Sequence, residues 1–522
     1  MKKVSDNKPG QWRVASGHEE TTAAAVTVLE AGGNAADAAI AAAMVASVAE
    51  PLLCSLGGGG HALVQRRGHS PVALDCFAHT PRRKRLDDVD FYPIIGNFGT
   101  DTQEFHVGMG SIATPGVIAG LAALGERFGS LPLGELTQPA IDLARTGVAL
   151  NHLQRYTLEI LEPIVRASDA SARLFGLSDR EGAIPQIGTR ICNLDLADYL
   201  DWLGRTGLDD FYRGESARRL AADSVAGGGH LCLADLERYR PAWRRPLRWR
   251  YRDATLWSTP PPAFGGMMLA LACHRLESHL PKQADFGGPE HVAALCAAMA
   301  ESEDLRRQLE QPEMLASERA LRQAFDGLLP GGQVSRRGTT QISIDDGKGL
   351  AVSLTLSNGE CAGYVLPGTG IILNNMLGEE DINRGGFHAW PCNRRLASMM
   401  APTLMQRSGQ AGSRRWLFGS GGSNRIRTAL LQVISNLVDF ELALEDAVSA
   451  PRLHLERGKL ALEMPLGSWS DATADWLDLH HHHARCWPGL NLYFGGVHAV
   501  GPAGAAADSR RQGAAREAFK KK

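Results

Sequence analysis

No stretch of this chain reaches 18 uncharged apolar residues, so no transmembrane helix is expected. The nearest approach, Ala35 to Val48, carries Asp37 and reads as a buried helix. Neither sign of charge is in excess. The 55 Lys and Arg stand against 57 Asp and Glu, for a net charge of −2. That balance leaves no electrostatic footprint for a nucleic-acid or membrane partner. Paired cysteine spacing is also missing. The nine cysteines are odd in number and dispersed, which implies reduced thiols rather than a disulfide framework. Residues 1–13 contain lysines but no apolar core of a signal peptide. The expected location is therefore cytoplasmic, or periplasmic if a leader has been removed. No internal repeat or long low-complexity linker interrupts the 522 residues, which a large sandwich fold can absorb as one unit.

Two conspicuous runs lack the chemistry they first suggest. Gly57 to Gly60 is not followed by the Lys-Ser/Thr of a phosphate-binding loop and reads as a tight packing turn. His480 to His483 reads as a solvated loop in preference to a metal site, and no metal or cofactor is expected.

What is present is a Gly338-Thr339-Thr340-Gln341 segment at the mouth of a strand. Ile342 and Ile344 alternate with Gln341, Ser343 and Asp345, and a second alternating run spans Val352 to Leu356. Asp345 to Gly349 reads as the turn between them. If the Gly338–Thr339 bond is cut, Thr339 carries both a nucleophilic hydroxyl and an α-amine able to act as its base. An α-amine titrates near ~7.7–8.0, so much of it accepts a proton at neutral pH. The same residues also suit an ordinary hairpin with a Thr-rich edge. Downstream, Gly419-Ser420-Gly421-Gly422-Ser423 precedes an amphipathic helix expected over 426–437.

Ordered motifs along the chain resemble the γ-glutamyltranspeptidase family of N-terminal-nucleophile hydrolases. They include Glu30 to Ala39, Glu50-Pro51, Gly57 to Gly60, Ala113-Thr114-Pro115-Gly116, Asp235 to Tyr239, Gly368 to Asn375, Ala401-Pro402-Thr403, Gly419 to Ser423 and Asp508 to Gly513. The resemblance implies an α+β fold, a four-layer αββα sandwich. It also implies a precursor that cuts itself between Gly338 and Thr339 into fragments 1–338 and 339–522, which stay together as one intertwined unit and are open to higher oligomerisation.

By the same resemblance, Thr339 is the catalytic nucleophile, and the Gly421 and Gly422 amides face the oxyanion. Ser357 is a candidate to orient the nucleophile, with Thr340 and Thr355 less favoured. Asn374, Asn375, Glu379, Glu380 and Ser398 are the candidate substrate ligands. The implied substrate is a small γ-glutamyl amide of the glutathione type.

The chain departs from the family pattern in the substrate clamp. The arginine expected in a Leu-Asp-Phe-Arg-type segment is Phe77 here, and a phenyl ring cannot pair with a carboxylate. Arg82, Arg83 and Lys84 lie downstream as possible substitutes. Paired serines before Ala401-Pro402-Thr403 are reduced to Ala397-Ser398-Met399, and Gln341 stands where a histidine often follows the threonines. A different N-acyl donor, such as a glutaryl amide, and an unprocessed binding protein remain alternatives. The segment from Pro330 to Arg337, glycine-rich and polar, is expected to be flexible, and Gly501 to Ala507 to pack loosely.

Overall fold

A computed structural model describes residues 11–97, 102–177, 183–309, 339–380, 382–383, 386–409, 412–464 and 469–518. Gly338 and the segment from Pro330 to Arg337 lie outside the described residues.

Two sheets form the centre. The strands of the first are β1 (Arg13–Ser16), β2 (Gly59–Arg66), β3 (Val72–Cys76) and β4 (Ala242–Arg244), joined by β7 (Thr340–Asp345), β8 (Leu350–Ser357) and β13 (Ala514–Glu517). Their order is β13-β1-β7-β8-β2-β3-β4. The second sheet is β12-β11-β10-β9-β6-β5, built from β5 (Leu247–Tyr251), β6 (Ala254–Ser258), β9 (Thr403–Gly409), β10 (Gly412–Gly421), β11 (Gly496–Gly501) and β12 (Gly504–Ala507). Every neighbouring pair in both sheets is antiparallel. Helices α1 (Glu19–Glu30) and α2 (Ala35–Ala49) cover the first sheet. Helices α3 (Gly265–His279) and α5 (Arg425–Val438) cover the second, and α4 (Pro289–Leu309) packs against α3. This is the expected αββα sandwich.

The period-two reading of the Thr339 region explains how the layers divide. Ile342, Ile344, Val352, Leu354 and Leu356 pack in the core shared with α2. Between the sheets the alternate residues are small or polar. Gln341 donates to Ser343 and Ser353 at 2.9 and 3.0 Å, and Thr355 donates to Gln341 Oε1 at 2.6 Å. All these residues are buried, so each polar atom needs a partner inside the layer. The Thr-rich edge is thus excluded: β7 lies between β1 and β8, with Thr340 opposite Leu356. Helix α2 is buried along its whole length, as its alanine-rich sequence allows. Asn34 caps it reciprocally with Asp37.

Two expectations need correction. Helix α5 is not amphipathic in its surroundings, because all its residues are buried between the second sheet and α3. Gly501 to Ala507 does not pack loosely. It carries the turn into β12, whose backbone pairs with β11 from His498 to Gly501. The histidine run ends helix Asp471–His480, with His480, His482 and His483 exposed.

Candidate active site

Thr339 precedes β7, and only 4% of it is exposed. Its carbonyl oxygen accepts a hydrogen bond from Arg511 Nη1 at 3.1 Å. The next residue is held from the opposite side. The Thr340 hydroxyl lies 3.0 and 3.1 Å from the two oxygens of Glu50, the residue that closes α2. Burial pushes the Glu50 carboxyl up to about 7, against the pull of Thr340 and Arg511. Burial also lowers the Arg511 guanidinium to about 10, with Glu50 and Asp508 opposing.

Arg511 is itself supported by a buried charge network. Asp508 accepts from Arg452 at 2.7 Å and from Arg510 at 3.1 Å, and Arg510 also grips Glu463. Although burial raises the Asp508 carboxyl, Arg452 and Arg510 bring it down to about 2. Sequence reasoning noticed Glu50-Pro51 and Asp508 to Gly513 as motifs but gave their side chains no role. A buried carboxylate and a buried arginine both need a partner, which was the available signal.

The glycine loop meets Thr339 at the end of β10. A Cβ on Gly421 would lie 2.2 Å from the Thr339 carbonyl oxygen, so only glycine permits this approach. Gly422 follows with φ +113, and Ser423 and Asn424 lead into α5.

A pocket of about 310 Å³ opens over Thr339. Its polar wall is Thr339, Ser357, Glu379, Ser398 and Ser423. Its apolar wall is Phe77, Met376, Ile382, Met399, Met400 and Ile426. Four of the expected site side chains, Thr339, Ser357, Glu379 and Ser398, therefore come together. Three do not join this wall. Asn374 spends its amide on Gly57 O and Ala113 O at 2.8 and 3.0 Å, and its oxygen accepts from Ala113 and Met376. Asn375 bridges Glu360 N and His106 O. Both amides brace loops, because burial obliges them to be satisfied where the backbone turns. Glu380 is exposed beside the buried Glu379. Thr340 and Thr355 are likewise committed elsewhere, to Glu50 and Gln341.

Among the described residues no arginine or lysine lines the pocket. Phe77 occupies the wall instead, its ring stacked on His61 with centroids 5.6 Å apart. Lys84 is over Trp390, Arg83 is exposed, and Arg82 bonds Asn393. None of the three substitutes for the missing fork. Among the described residues no cluster of His, Cys, Asp and Glu suits a metal, and no helix is long and apolar enough to cross a membrane.

Residues 21–518 match the γ-glutamyltranspeptidase family model, and the chain belongs to that family. It is 30% identical over 477 residues to the acylase ACY 1 proenzyme of Pseudomonas sp. (strain V22), covering 86% of this chain and 83% of that protein. It is 29% identical over 487 residues to the glutathione hydrolase proenzyme of Escherichia coli (strain K12), covering 85% and 81%. In fold it is similar to cephalosporin acylase from Bacillus halodurans, with a TM-score of 0.79 at 23% identity over 99% of this chain and 97% of that one. The protein is an enzyme of the amide-hydrolysing and acyl-transferring kind that this family comprises.

Proposed function

We propose that the protein cuts itself between Gly338 and Thr339 and then works as an amidase or acyltransferase through an acyl-Thr339 ester. The observation that carries this reading is the convergence on Thr339 of the Arg511 bond, the Gly421 approach and the pocket. In self-cleavage the Thr339 hydroxyl attacks the Gly338 carbonyl, and water resolves the resulting ester. The products are a carboxylate on residue 338 and a free amine on Thr339. In turnover that amine takes the hydroxyl proton as Thr339 Oγ attacks the substrate amide. Backbone N–H groups of Gly421 and Gly422 face the developing oxyanion, each donor typically lowering the barrier by ~3–4 kcal/mol. The proton passes to the leaving amine, and water or an acceptor amine then releases the acyl group.

The pocket wall selects the acyl half. Phe77, and the lack of a lining cation among the described residues, oppose a carboxylate on the acyl chain, whereas Glu379 suits an ammonium. An acyl group with an apolar body, with or without an ammonium, fits best. The γ-glutamyl reading keeps support from Glu379 and from the glutathione hydrolase relative. A glutaryl donor, with a carboxylate alone, fits least well.

Steady-state hydrolysis of 4-aminobutyryl, γ-glutamyl and glutaryl 4-nitroanilides separates these readings. We expect kcat/KM for the 4-aminobutyryl anilide to equal or exceed that for γ-glutamyl, with glutaryl lowest. A γ-glutamyl preference of roughly tenfold or more, worth ~1.4 kcal/mol, would require an α-carboxylate clamp and overturn the acyl assignment.

A further inference from the structure

Behind Phe77 lies a second cavity, of about 460 Å³, that the reaction described above does not use. Among the described residues, Arg82, Arg238, Arg240 and Arg395 line it, against a single carboxylate, Asp235. That carboxylate is spent on backbone, accepting from Arg82 N at 2.7 Å and Cys232 N at 2.8 Å. Arg395 is committed to the wall: it pairs with Asp75 and donates to Phe77 O, to the Tyr239 hydroxyl and, at 2.6 Å, to Arg240 O. Arg240 binds the carbonyls of Glu237 and Tyr239, and Arg82 binds Asn393. Arg238 is exposed, and its guanidinium has no hydrogen bond or ion pair among the described residues.

The floor of the cavity adds a second, independent sign. His79 and Thr114 exchange backbone hydrogen bonds at 3.1 and 2.9 Å, so their peptide groups are satisfied. The Thr114 hydroxyl is not. Thr114 is 1% exposed, lines the cavity, and its Oγ1 has no hydrogen-bond partner. A buried hydroxyl left in this state costs free energy unless something else binds it.

We propose that this cavity is a carboxylate-binding site. A guanidinium fork on Arg238 matches a planar carboxylate, and the Thr114 hydroxyl supplies a further donor from below. The carboxylate belongs either to the amine half of the amide substrate or to a separate small acid. The first source rests on the acyl-Thr339 reading, and the second does not. The shared wall makes either meaningful, since Tyr239 and Arg395 hold the carbonyl of Phe77 while its ring faces the reaction pocket.

Two measurements on the whole protein test the site. The first compares 4-aminobutyryl 4-nitroanilide with its 3-carboxy-4-nitroanilide counterpart. If the carboxylate rides on the leaving amine, the carboxylated substrate has the higher kcat/KM, and Arg238→Gln reduces that preference roughly tenfold. The second is calorimetric titration with glutarate, which needs no turnover. If a separate acid binds, Arg238→Gln and Thr114→Val each weaken it roughly tenfold, and Thr114→Ser restores binding. Absence of both effects overturns the proposal. Inorganic phosphate binding more tightly than glutarate at Arg238 overturns the carboxylate assignment.

Discussion

Glu50 has a measurable pH signature. Its ordinary carboxyl value of 4.5 rises to about 7 in the fold, with burial as the main cause. The folded state therefore favours the protonated acid, and this group's contribution is complete below 4.5 and lost as pH rises to about 7. Glu50→Gln imitates the neutral acid and keeps an acceptor for Thr340. We expect denaturant titrations to show a flatter dependence of stability on pH between 4.5 and 7 in this variant. At pH 8 the variant gains on the order of 3 kcal/mol relative to the parent. An unchanged pH slope would remove Glu50 as the titrating group. The sequence displayed Glu50 and Arg511 inside motifs, but their meeting at Thr339 and Thr340 was not legible. Hydrogen bonds across 290 and 172 positions of chain leave no local pattern.

At the scale of elements, the end of β10 carries the most demanding contact. Gly421→Ala would bring a methyl group to 2.2 Å from the Thr339 carbonyl, and that neighbour is backbone that cannot swing aside. We expect a destabilisation of roughly 1–3 kcal/mol from overpacking, measured by chemical denaturation. Turnover should fall by roughly a hundredfold or more, because about an ångström of misplacement at the nucleophile can cost that much. Near-normal activity in this variant would show that the loop does not position Thr339. Elements with a period were legible in the sequence: the alternation around Ile342 and Ile344 marked β7, and the alanine run marked α2 as buried. Where expectation erred, tertiary context decided. The polar side of α5 is buried because Arg427 pairs with Glu303 and Gln432 bonds Leu453 O. Asn374 and Asn375 looked like ligands, but their burial among loop carbonyls sets them as braces.

Across the whole molecule, both sheets interleave the two sides of the proposed cut. In the first, β7 and β8 lie between β1 and β2. In the second, β9 joins β6 to β10. Cleavage leaves these ladders intact, so the 338- and 184-residue fragments should elute together in size-exclusion chromatography and separate only on unfolding. Elution of either fragment alone under native conditions would contradict the intertwined arrangement. The family and its sandwich were legible because the motifs run in order along nearly the whole chain. The wall of the acyl pocket was less so, because Met376, Met399 and Ile426 come from separate elements that only the fold assembles.

Intact mass together with N-terminal sequencing of the purified protein and of Thr339→Ala tests the role of Thr339 most directly. The expected result is two fragments from the parent, the smaller beginning Thr339-Thr340-Gln341, and a single inert 56.1 kDa chain from the variant. An uncut parent chain that still turns over amides, or a cut and active Thr339→Ala, would contradict it.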